Sequence, residues 1–173
     1  ELTREIVRRV HHLLKQEIFP EPKALLTEAP KLLGTDGRKM SKSYGNTLNL
    51  SESAETIRTT VQKMFTDPMR IKRTDPGHPE TCNVCNYWTM FSPDRAPALW
   101  EECRTATRGC VQNKQELAEV LVQLTEPFRA ARAKPTHSRE RVEALLQEGA
   151  ARARAVAQQT IADVKRAFGM GSG

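Results

Sequence analysis

The chain has 173 residues and a formal net charge of +6, with 38% hydrophobic, 28% charged and 5% aromatic residues. This length suits one domain or two small ones. No apolar run approaches the about 20 residues needed to cross a bilayer, which excludes a membrane-spanning protein. The first residues, ELTRE, lack an initiator Met and the apolar core of a signal peptide. We therefore expect a cytoplasmic protein, present here as a fragment.

The chain is predicted to open in an amphipathic helix. Apolar residues recur at three- and four-residue steps between residues 2 and 14. Pro20 and Pro22 should end this helix, because proline cannot extend a helix and restrains the residue before it. The short apolar runs 24–26 and 31–33 predict a short extended segment and a strand.

Residues 37–46, with the sequence GRKMSKSYGN, are the most informative stretch. Glycines on both sides permit backbone conformations that other residues resist, so we predict a mobile loop. Lys39 and Lys42 place two compact charges on flexible stems, and Ser41 and Ser43 add hydroxyls that can donate to phosphate oxygens. Its chemistry predicts a polyphosphate-binding loop, with a solvated basic turn as the alternative.

After this loop the sequence predicts helices separated by irregular segments. Cap-type residues at 49–53 introduce a helix over 54–65, which Pro68 should end. The Pro- and Gly-rich residues 74–79 exclude regular structure. Residues 87–91 form the densest aromatic patch, which we interpret as a packing cluster between helices, with base stacking as the alternative.

Two further helices are predicted in the next part of the chain. The first covers 96–107 and is broken by Gly109. The second covers 114–126, and Pro127 should kink or end it.

A last helix should start near Thr136 or Ser138 and be followed by a disordered tail at 169–173. The apolar pattern predicts that it buries one face. The residues on that face are Val142, Leu145, Leu146, Ala153, Val156, Ile161, Val164 and Phe168.

Charge is unevenly distributed along the chain. Residues 38–73 and 127–173 each carry a net charge of +5, whereas residues 74–126 carry −4 and residues 1–37 carry none. Two separated basic segments suit a protein that contacts a long polyanion at two places. Each segment alone could equally be an ordinary solvated helix face.

An ordered set of motifs resembles the C-terminal half of the bacterial tryptophanyl-tRNA synthetases. Residues 39–43, KMSKS, match the signature of class I aminoacyl-tRNA synthetases, and YGNT follows. KMFTDP at 63–68 and DPGHPETCNV at 75–84 come next, then shorter matches between 109 and 129. The resemblance runs from residue 1 to about 169. KMSKS alone indicates only the class I synthetases. The later motifs indicate the tryptophanyl branch, because the sister tyrosyl family usually lacks the Asp-Pro-Gly-x-Pro-Glu stretch.

The resemblance implies a mostly α chain with two parts. Residues 1–49 would be the end of a Rossmann-like α/β catalytic domain and include the KMSKS loop. Residues 50–173 would be a helical bundle that binds the tRNA anticodon. The boundary is therefore expected near Asn49.

The resemblance also implies ATP-dependent activation of tryptophan to the adenylate and its transfer to tRNA(Trp). Negative charge grows on the departing pyrophosphate, so cations that meet it in the transition state are the most effective. Lys42 is assigned the larger catalytic role and Lys39 a supporting one. Lys39, Met40, Ser41, Lys42 and Ser43 would bind ATP, which Mg²⁺ would accompany.

The implied partners are tRNA(Trp), tryptophan and ATP, with a homodimer in the complete protein and neither membrane nor DNA. Basic residues near a predicted helix junction are the candidates for RNA contact, although each could be an ordinary surface charge. They are Arg129, Arg132, Lys134, Arg139 and Arg141.

The four cysteines leave two interpretations open. Cys82-x-x-Cys85 has the spacing of half a zinc or iron–sulfur site. Some tryptophanyl synthetases carry a cluster motif ending Cys-x6-Cys-x2-Cys; Cys103 and Cys110 keep the first interval, but Asn113 stands where the final Cys would be. Four thiolate ligands exist in principle, whereas the departure in spacing favours inert cysteines. We predict no metal site.

Two family elements are not found in the chain. None of its four histidines lies in a His-x-Gly-His element, and the Gly-x-Asp-Gln segment is also missing. We therefore expect half of an active site, unable to form the adenylate alone. The alternatives are a tyrosyl relative and a non-catalytic RNA-binding or regulatory paralogue. The intact lysine pair argues against a paralogue that only binds.

Overall fold

The computed structural model describes residues 1–27, 31–134 and 138–170, which are mostly helical. The helices in these ranges are α1 (Leu2–Leu14), α2 (Ala54–Gln62), α3 (Asn83–Phe91), α4 (Ala96–Arg104), α5 (Cys110–Ala133) and α6 (Arg139–Ala167). Single 3-10 turns cover Lys42–Tyr44 and Pro79–Thr81. Across the described ranges, no helix has both the length and the apolar character that a membrane span requires.

The chain divides into two compact units. One comprises Glu1–Leu26 and Thr136–Gly173 and includes α1 and α6. The other comprises Thr27–Pro135 and includes α2 to α5. Residues 37–46 therefore share a unit with the four central helices. The functional boundary predicted near Asn49 stays a prediction.

The core of the second unit is formed by α2, α3, α4 and α5. α2 packs along α5, and α3 packs against both α4 and α5. Trp88 and Tyr87 are the largest fully buried side chains, and the Tyr87 and Phe91 rings lie 5.5 Å apart. The predicted packing role of the aromatic patch is confirmed, because large aromatic side chains contribute most to burial in a small core.

Capping explains where two of these helices begin. Ser53 precedes α2, and its hydroxyl accepts a hydrogen bond of 3.0 Å from the Thr56 N–H, as the cap-type residues predicted. The helix ends at Gln62, before the predicted limit at 65. α4 also ends early, at Arg104, and Gly109 caps α5 instead of breaking α4.

α5 is longer than predicted at both ends and continues through Pro127 to Ala133. The proline removes one backbone donor from the helix. The carbonyl that loses its donor is that of Gln123, and both Gln123 and Pro127 lie on the exposed side of α5, where water can bond to it. The helix therefore continues past Pro127 to Ala133.

The predicted strand at 31–33 is wrong, since the described residues contain no β-strand. Leu33 forms only an isolated antiparallel bridge with Lys39, just beyond the next turn. One bridged pair is too short to form a strand, and two strands without a third are only marginally stable. In the run at 24–26, Leu25 is 99% exposed and is not part of a regular element.

The predicted burial along the last helix is also wrong. α6 begins directly after Ser138, which is one of the two starts that we predicted. The other predicted start, Thr136, lies outside the described residues. No residue of α6 is buried. Leu146 and Val156 are 67% and 70% exposed. Periodicity identifies an apolar face but does not supply an element to cover it. Residues 171–173 of the predicted disordered tail likewise lie outside the described residues.

Asn113 links α5 to α3 in the core. Its amide oxygen accepts a hydrogen bond of 2.7 Å from the Trp88 indole, and both side chains are buried. The residue that departs from the family's cysteine pattern thus has a structural role. A buried indole N–H without an acceptor would be destabilising.

We predict that Asn113→Ala lowers the free energy of unfolding by about 1–3 kcal/mol, because it leaves the Trp88 donor unpaired in the core. Urea denaturation followed by tryptophan fluorescence measures this change. Gln123→Ala, on the exposed side of α5, is the matched control. Equal unfolding free energies for the two variants would show that the Asn113–Trp88 bond contributes nothing.

Candidate functional site

The stretch that includes the two lysines is a tight chain reversal. The Met40 N–H donates to the Leu32 carbonyl at 3.0 Å and the Gly34 N–H to the Arg38 carbonyl at 2.6 Å. At the tip, the Gly37 N–H donates to the Gly34 carbonyl at 3.0 Å. Gly37 has a φ of +79°, a conformation that glycine adopts without steric cost. The backbone is therefore a hydrogen-bonded turn in this structure, and its mobility stays a prediction.

Asn46 joins the two sides of this reversal. Its amide nitrogen donates to the Asp36 carboxylate at 2.7 Å and to the Lys39 carbonyl at 3.2 Å, and its amide oxygen accepts from the Ser41 N–H at 2.8 Å. Only 2% of Asn46 is exposed. A buried amide with three partners fixes the backbone on either side of Met40.

Gly34 makes room for this amide. A Cβ atom at position 34 would overlap the Asn46 side chain. The Thr35 N–H also donates to the Asn46 carbonyl at 2.9 Å. Close approach of the two backbones therefore requires glycine here.

The reversal is anchored on the helical core. At the start of α3, the Asn83 amide donates to the Gly34 carbonyl at 2.7 Å, and the Tyr87 hydroxyl donates to the Leu33 carbonyl at 2.6 Å. After α2, the Phe65 N–H donates to the Thr35 carbonyl at 2.7 Å. Burial raises the pKa of Tyr87 to about 12, so its hydroxyl remains a donor at neutral pH.

Arg38 is occupied by contacts within the loop. Its guanidinium forms an ion pair of 2.6 Å with Asp36 and lies 4.7 Å from the centre of the Tyr44 ring. Hydrogen bonds, first from Asn46 and then from Arg38, lower the pKa of Asp36 to about 2. Asp36 is therefore ionised at neutral pH and orders the turn.

The five predicted site residues lie together on this turn. Lys39 and Lys42 are exposed, and neither ammonium group has an ion-pair or hydrogen-bond partner within the described ranges. The Ser41 and Ser43 hydroxyl oxygens lie 2.9 Å apart, and Met40 packs against the core. Two free cations beside two hydroxyls can bind an anion with several oxygens.

The residues that position the turn were not predicted as site residues. Asn46 and Asn83 belong to motifs on which the family resemblance rests, and Tyr87 belongs to the aromatic patch. Sequence can mark such positions, but it does not show that these side chains meet the backbone of residues 33–41. Their hydrogen bonds span 5 to 54 positions in sequence.

The cysteines lie on another part of the same unit. Cys82, Cys85 and Cys103 are buried and Cys110 is half-buried, all as free thiols. Hydrogen bonding from Cys85 lowers the pKa of Cys82 and of Cys103, and the same contacts raise the pKa of Cys85. Among the residues that the structure describes, no group of three or more His, Cys, Asp or Glu side chains could hold a metal ion.

The five basic residues proposed for RNA contact fall into two groups. Arg129, Arg132 and Lys134 belong to the end of the second unit, whereas Arg139 and Arg141 lie in the first turn of α6 in the other. Arg129 pairs with Glu126 at 2.5 Å and Arg139 with Glu143 at 2.8 Å. Two of the five charges are therefore already engaged within their own helices.

Sequence comparison finds a matching family. Residues 1–126 match the family described as tRNA synthetases class I (W and Y). The tryptophan–tRNA ligase of Aquifex aeolicus is 44% identical over 172 residues, which cover 98% of this chain and 43% of that protein. The tryptophan–tRNA ligase of Thermotoga maritima is 44% identical over 176 residues, covering 98% of this chain and 52% of that protein.

Solved structures similar to this chain include tryptophanyl-tRNA synthetases, in agreement with the sequence comparison. The tryptophanyl-tRNA synthetase of Campylobacter jejuni, complexed with ADP and tryptophan, superposes with a TM-score of 0.69 at 27% identity. The match covers 96% of this chain and 52% of that one. The chain thus spans about half the length of the relatives that it matches.

We predict that Asn46→Ala loosens the reversal, because the Asp36 carboxylate, the Lys39 carbonyl and the Ser41 N–H lose a shared partner. Hydrogen exchange at the Ser41 amide should become about tenfold faster or more, and the unfolding free energy should fall by about 1–3 kcal/mol. Exchange mass spectrometry over residues 38–46 measures the local effect. Asn49→Ala is the control, since Asn49 is exposed and bonds only to Glu52. Equal exchange in both variants would contradict the role of Asn46.

We predict that the protein purified without oxygen contains no stoichiometric zinc or iron, because no group of three or more His, Cys, Asp or Glu side chains in the described residues could hold a metal ion. Elemental analysis together with the visible absorption spectrum measures this directly. One equivalent of zinc, or an iron–sulfur absorption band, would overturn the interpretation of inert cysteines.

Proposed function

The chain belongs to the tryptophan and tyrosine branch of the class I tRNA synthetases, and from this membership we propose that the complete protein is a tryptophan–tRNA ligase. It would activate tryptophan with ATP, release pyrophosphate, and transfer the tryptophanyl group to tRNA(Trp). Relatives 36–44% identical to the chain are tryptophan–tRNA ligases, which favours tryptophan over tyrosine as the substrate.

One observation carries the mechanistic part of the proposal. Lys39 and Lys42 project from a hydrogen-bonded turn, and the neighbouring acidic residue, Asp36, is paired with Arg38 instead. A free ammonium group is available for an incoming anion, whereas a paired one would first have to lose its partner. The turn therefore offers its two lysine charges to the nucleotide phosphates.

The chemistry follows from charge. The tryptophan carboxylate attacks the α-phosphorus of ATP, the bond to the bridging oxygen breaks, and both electrons leave with pyrophosphate. Lys42 would neutralise the charge on that leaving group, with Lys39 in support. Ser41 and Ser43 would donate hydrogen bonds to phosphate oxygens, and Met40 would hold the loop on the core. No covalent nucleophile is needed.

Magnesium would enter with ATP rather than through this chain. Asp36 is the one carboxylate between residues 33 and 46, and Arg38 and Asn46 already occupy it. The described residues therefore do not form a magnesium site around the loop. We assign no step of the reaction to a metal held by these residues.

Family membership supports the proposed domains, ligand sites and assembly of the complete protein. Residues 1–49 would complete a Rossmann-like α/β catalytic domain and residues 50–173 would form the helical anticodon-binding part. The Campylobacter structure with ADP and tryptophan supports sites for an adenine nucleotide and for tryptophan in the complete protein. We further propose a cytoplasmic homodimer that binds tRNA(Trp) and not DNA.

Two other functions make different predictions. A tyrosyl relative would exchange pyrophosphate into ATP in the presence of tyrosine rather than tryptophan. A non-catalytic RNA-binding paralogue would show no exchange with either amino acid. The unpaired lysines favour an enzyme, because a module that only binds RNA does not need this loop.

We predict that Lys42→Ala in the complete protein slows tryptophan-dependent ATP–pyrophosphate exchange by about 100-fold or more, as expected when a transition-state charge interaction is removed. The affinity for ATP should change much less, since the interaction matters most as pyrophosphate departs. Exchange kinetics and equilibrium ATP binding separate these effects.

Lys63→Ala is the matched control for this prediction, because Lys63 is an exposed lysine outside the loop. Its exchange rate should equal that of the unmodified protein. Exchange at a near-normal rate in Lys42→Ala would remove Lys42 from the mechanism. Exchange with tyrosine alone would leave the loop chemistry intact but replace the substrate.

A further inference from the structure

Two cysteines lie at the amino end of α3. Cys82 is the residue that caps the helix and Cys85 lies in its first turn. Cys82 is 3% exposed and Cys85 is fully buried. Residues at this spacing are neighbours at the start of a helix, and two thiols in this arrangement are typical of pairs that interconvert between dithiol and disulfide. Without a metal, the two thiols are free to react with each other.

The two thiols have different surroundings. Hydrogen bonding from Cys85 lowers the pKa of Cys82, whereas hydrogen bonding with Cys103, and then with Cys82, raises the pKa of Cys85. The amino end of α3 also favours a negative charge on the residue that caps it. Cys82 is therefore the thiolate and the nucleophile, and Cys85 is a thiol held beside it.

Cys82 also has the better access to solvent. It lines a small inner cavity together with Cys103 and Cys110, whereas Cys85 is not among the lining residues. The cavity of about 10 Å³ has room for roughly one water molecule, which excludes bulky disulfides as oxidants. Arg70 and Cys110 line both this cavity and an open cleft at the surface. Movement of these side chains is enough to admit a molecule as small as hydrogen peroxide.

The residue that follows Cys82 holds the base of the KMSKS loop. The Asn83 amide donates to the Gly34 carbonyl at 2.7 Å, and its own oxygen is buried without a hydrogen-bond partner among the described residues. One turn further along α3, the Tyr87 hydroxyl donates to the Leu33 carbonyl. The side chain of Asn83 is therefore placed by the backbone of the first turn, and a shift of that turn moves the anchor of the loop.

We propose that Cys82 and Cys85 are a redox pair, which hydrogen peroxide oxidises to a disulfide that displaces Asn83 and loosens the KMSKS loop. Bond formation must draw the two residues closer than hydrogen bonding holds them, and Asn83 lies between them in the chain. The effect on catalysis rests on the proposed function; the disulfide and the displaced turn do not.

The oxidation is balanced in two steps. The Cys82 thiolate attacks one oxygen of hydrogen peroxide, the O–O bond breaks, and the departing hydroxide takes up the proton that the thiol released, which gives water and a sulfenic acid. The Cys85 sulfur then attacks the Cys82 sulfur, the S–O bond breaks, and a second water leaves with the Cys85 proton. The two thiols lose two electrons in total, and the peroxide is reduced to two waters.

The first test locates the disulfide. The complete protein is treated with hydrogen peroxide, denatured in an alkylating reagent, digested with trypsin and analysed by mass spectrometry. Arg73 and Arg95 bound one tryptic peptide that contains both Cys82 and Cys85, whereas Cys103 and Cys110 fall in other peptides. The peptide 74–95 should escape alkylation, lose two hydrogen atoms, and recover both thiols with a dithiol reductant. A cross-link from Cys85 to Cys103, or alkylation of all four cysteines, would overturn the proposal.

The second test measures the effect on the loop. Oxidation should make amide hydrogen exchange over residues 33–41 about tenfold faster or more, and reduction should reverse this. Cys82→Ser should keep the helix start, because serine is a preferred N-cap residue, and should make the loop insensitive to peroxide. Cys110→Ser, outside the pair, is the matched control and should respond like the unmodified protein. An unchanged exchange rate in a protein whose disulfide has formed would overturn the link to the loop.

Activity separates this proposal from the proposed function. Tryptophan-dependent ATP–pyrophosphate exchange should fall by about tenfold or more on oxidation, as expected when catalytic groups are misplaced, and Cys82→Ser should retain it. If the unmodified protein shows no exchange while the disulfide still forms and loosens the loop, the proposed function fails and the redox pair stands. If peroxide slows exchange equally in Cys82→Ser, the oxidation acts elsewhere and the proposal is overturned.

Discussion

The buried amide of Asn46 is the interaction on which the loop geometry depends. It meets backbone or side-chain groups of Asp36, Lys39 and Ser41 at once, and Gly34 leaves the space that it fills. A backbone held in this way fixes where the lysine side chains begin, while their own flexible stems remain free to follow a phosphate. The helical core contributes by holding the base of the reversal through Asn83 and Tyr87. The loop is thus built on the bundle, even though the predicted domain boundary would separate the two.

Features of the fold and of the loop that depend on neighbouring residues could be predicted from the sequence. Periodicity located α1, α2, α4, α5 and α6 but not α3, part of which was interpreted only as an aromatic packing cluster. The cap at Ser53 was visible, and KMSKS identified the loop and its class. The prediction of a strand at 31–33 is wrong because strand formation depends on a pairing partner, which a local apolar run does not reveal. The prediction that one face of α6 is buried is wrong, because periodicity does not show which element covers a helix. The roles of Asn46, Asn83 and Tyr87 depend on contacts across the fold, which composition and spacing do not encode.

The cations of the second unit differ in whether they are paired. Most of its arginines are tied to glutamates or aspartates, as in the pairs Arg58–Glu119 and Arg95–Glu116. Lys39 and Lys42 are among the cations of this unit that form no ion pair in the described part of the chain, and they lie on a turn shaped by Asp36, which binds Arg38 and Asn46 instead. Inside the unit, the Trp88 indole donates to the Asn113 side chain. Arg70 contacts the sulfurs of Cys103 and Cys110.

The most direct test is a structure of the complete protein with tryptophan and a non-hydrolysable ATP analogue in the closed form. We predict that the Lys42 ammonium lies within hydrogen-bond distance, about 2.7–3.2 Å, of the oxygens of the departing diphosphate, with Lys39 beside it and Asn46 still holding the turn. A closed complex in which both ammonium groups stay out of reach of those oxygens would contradict the account.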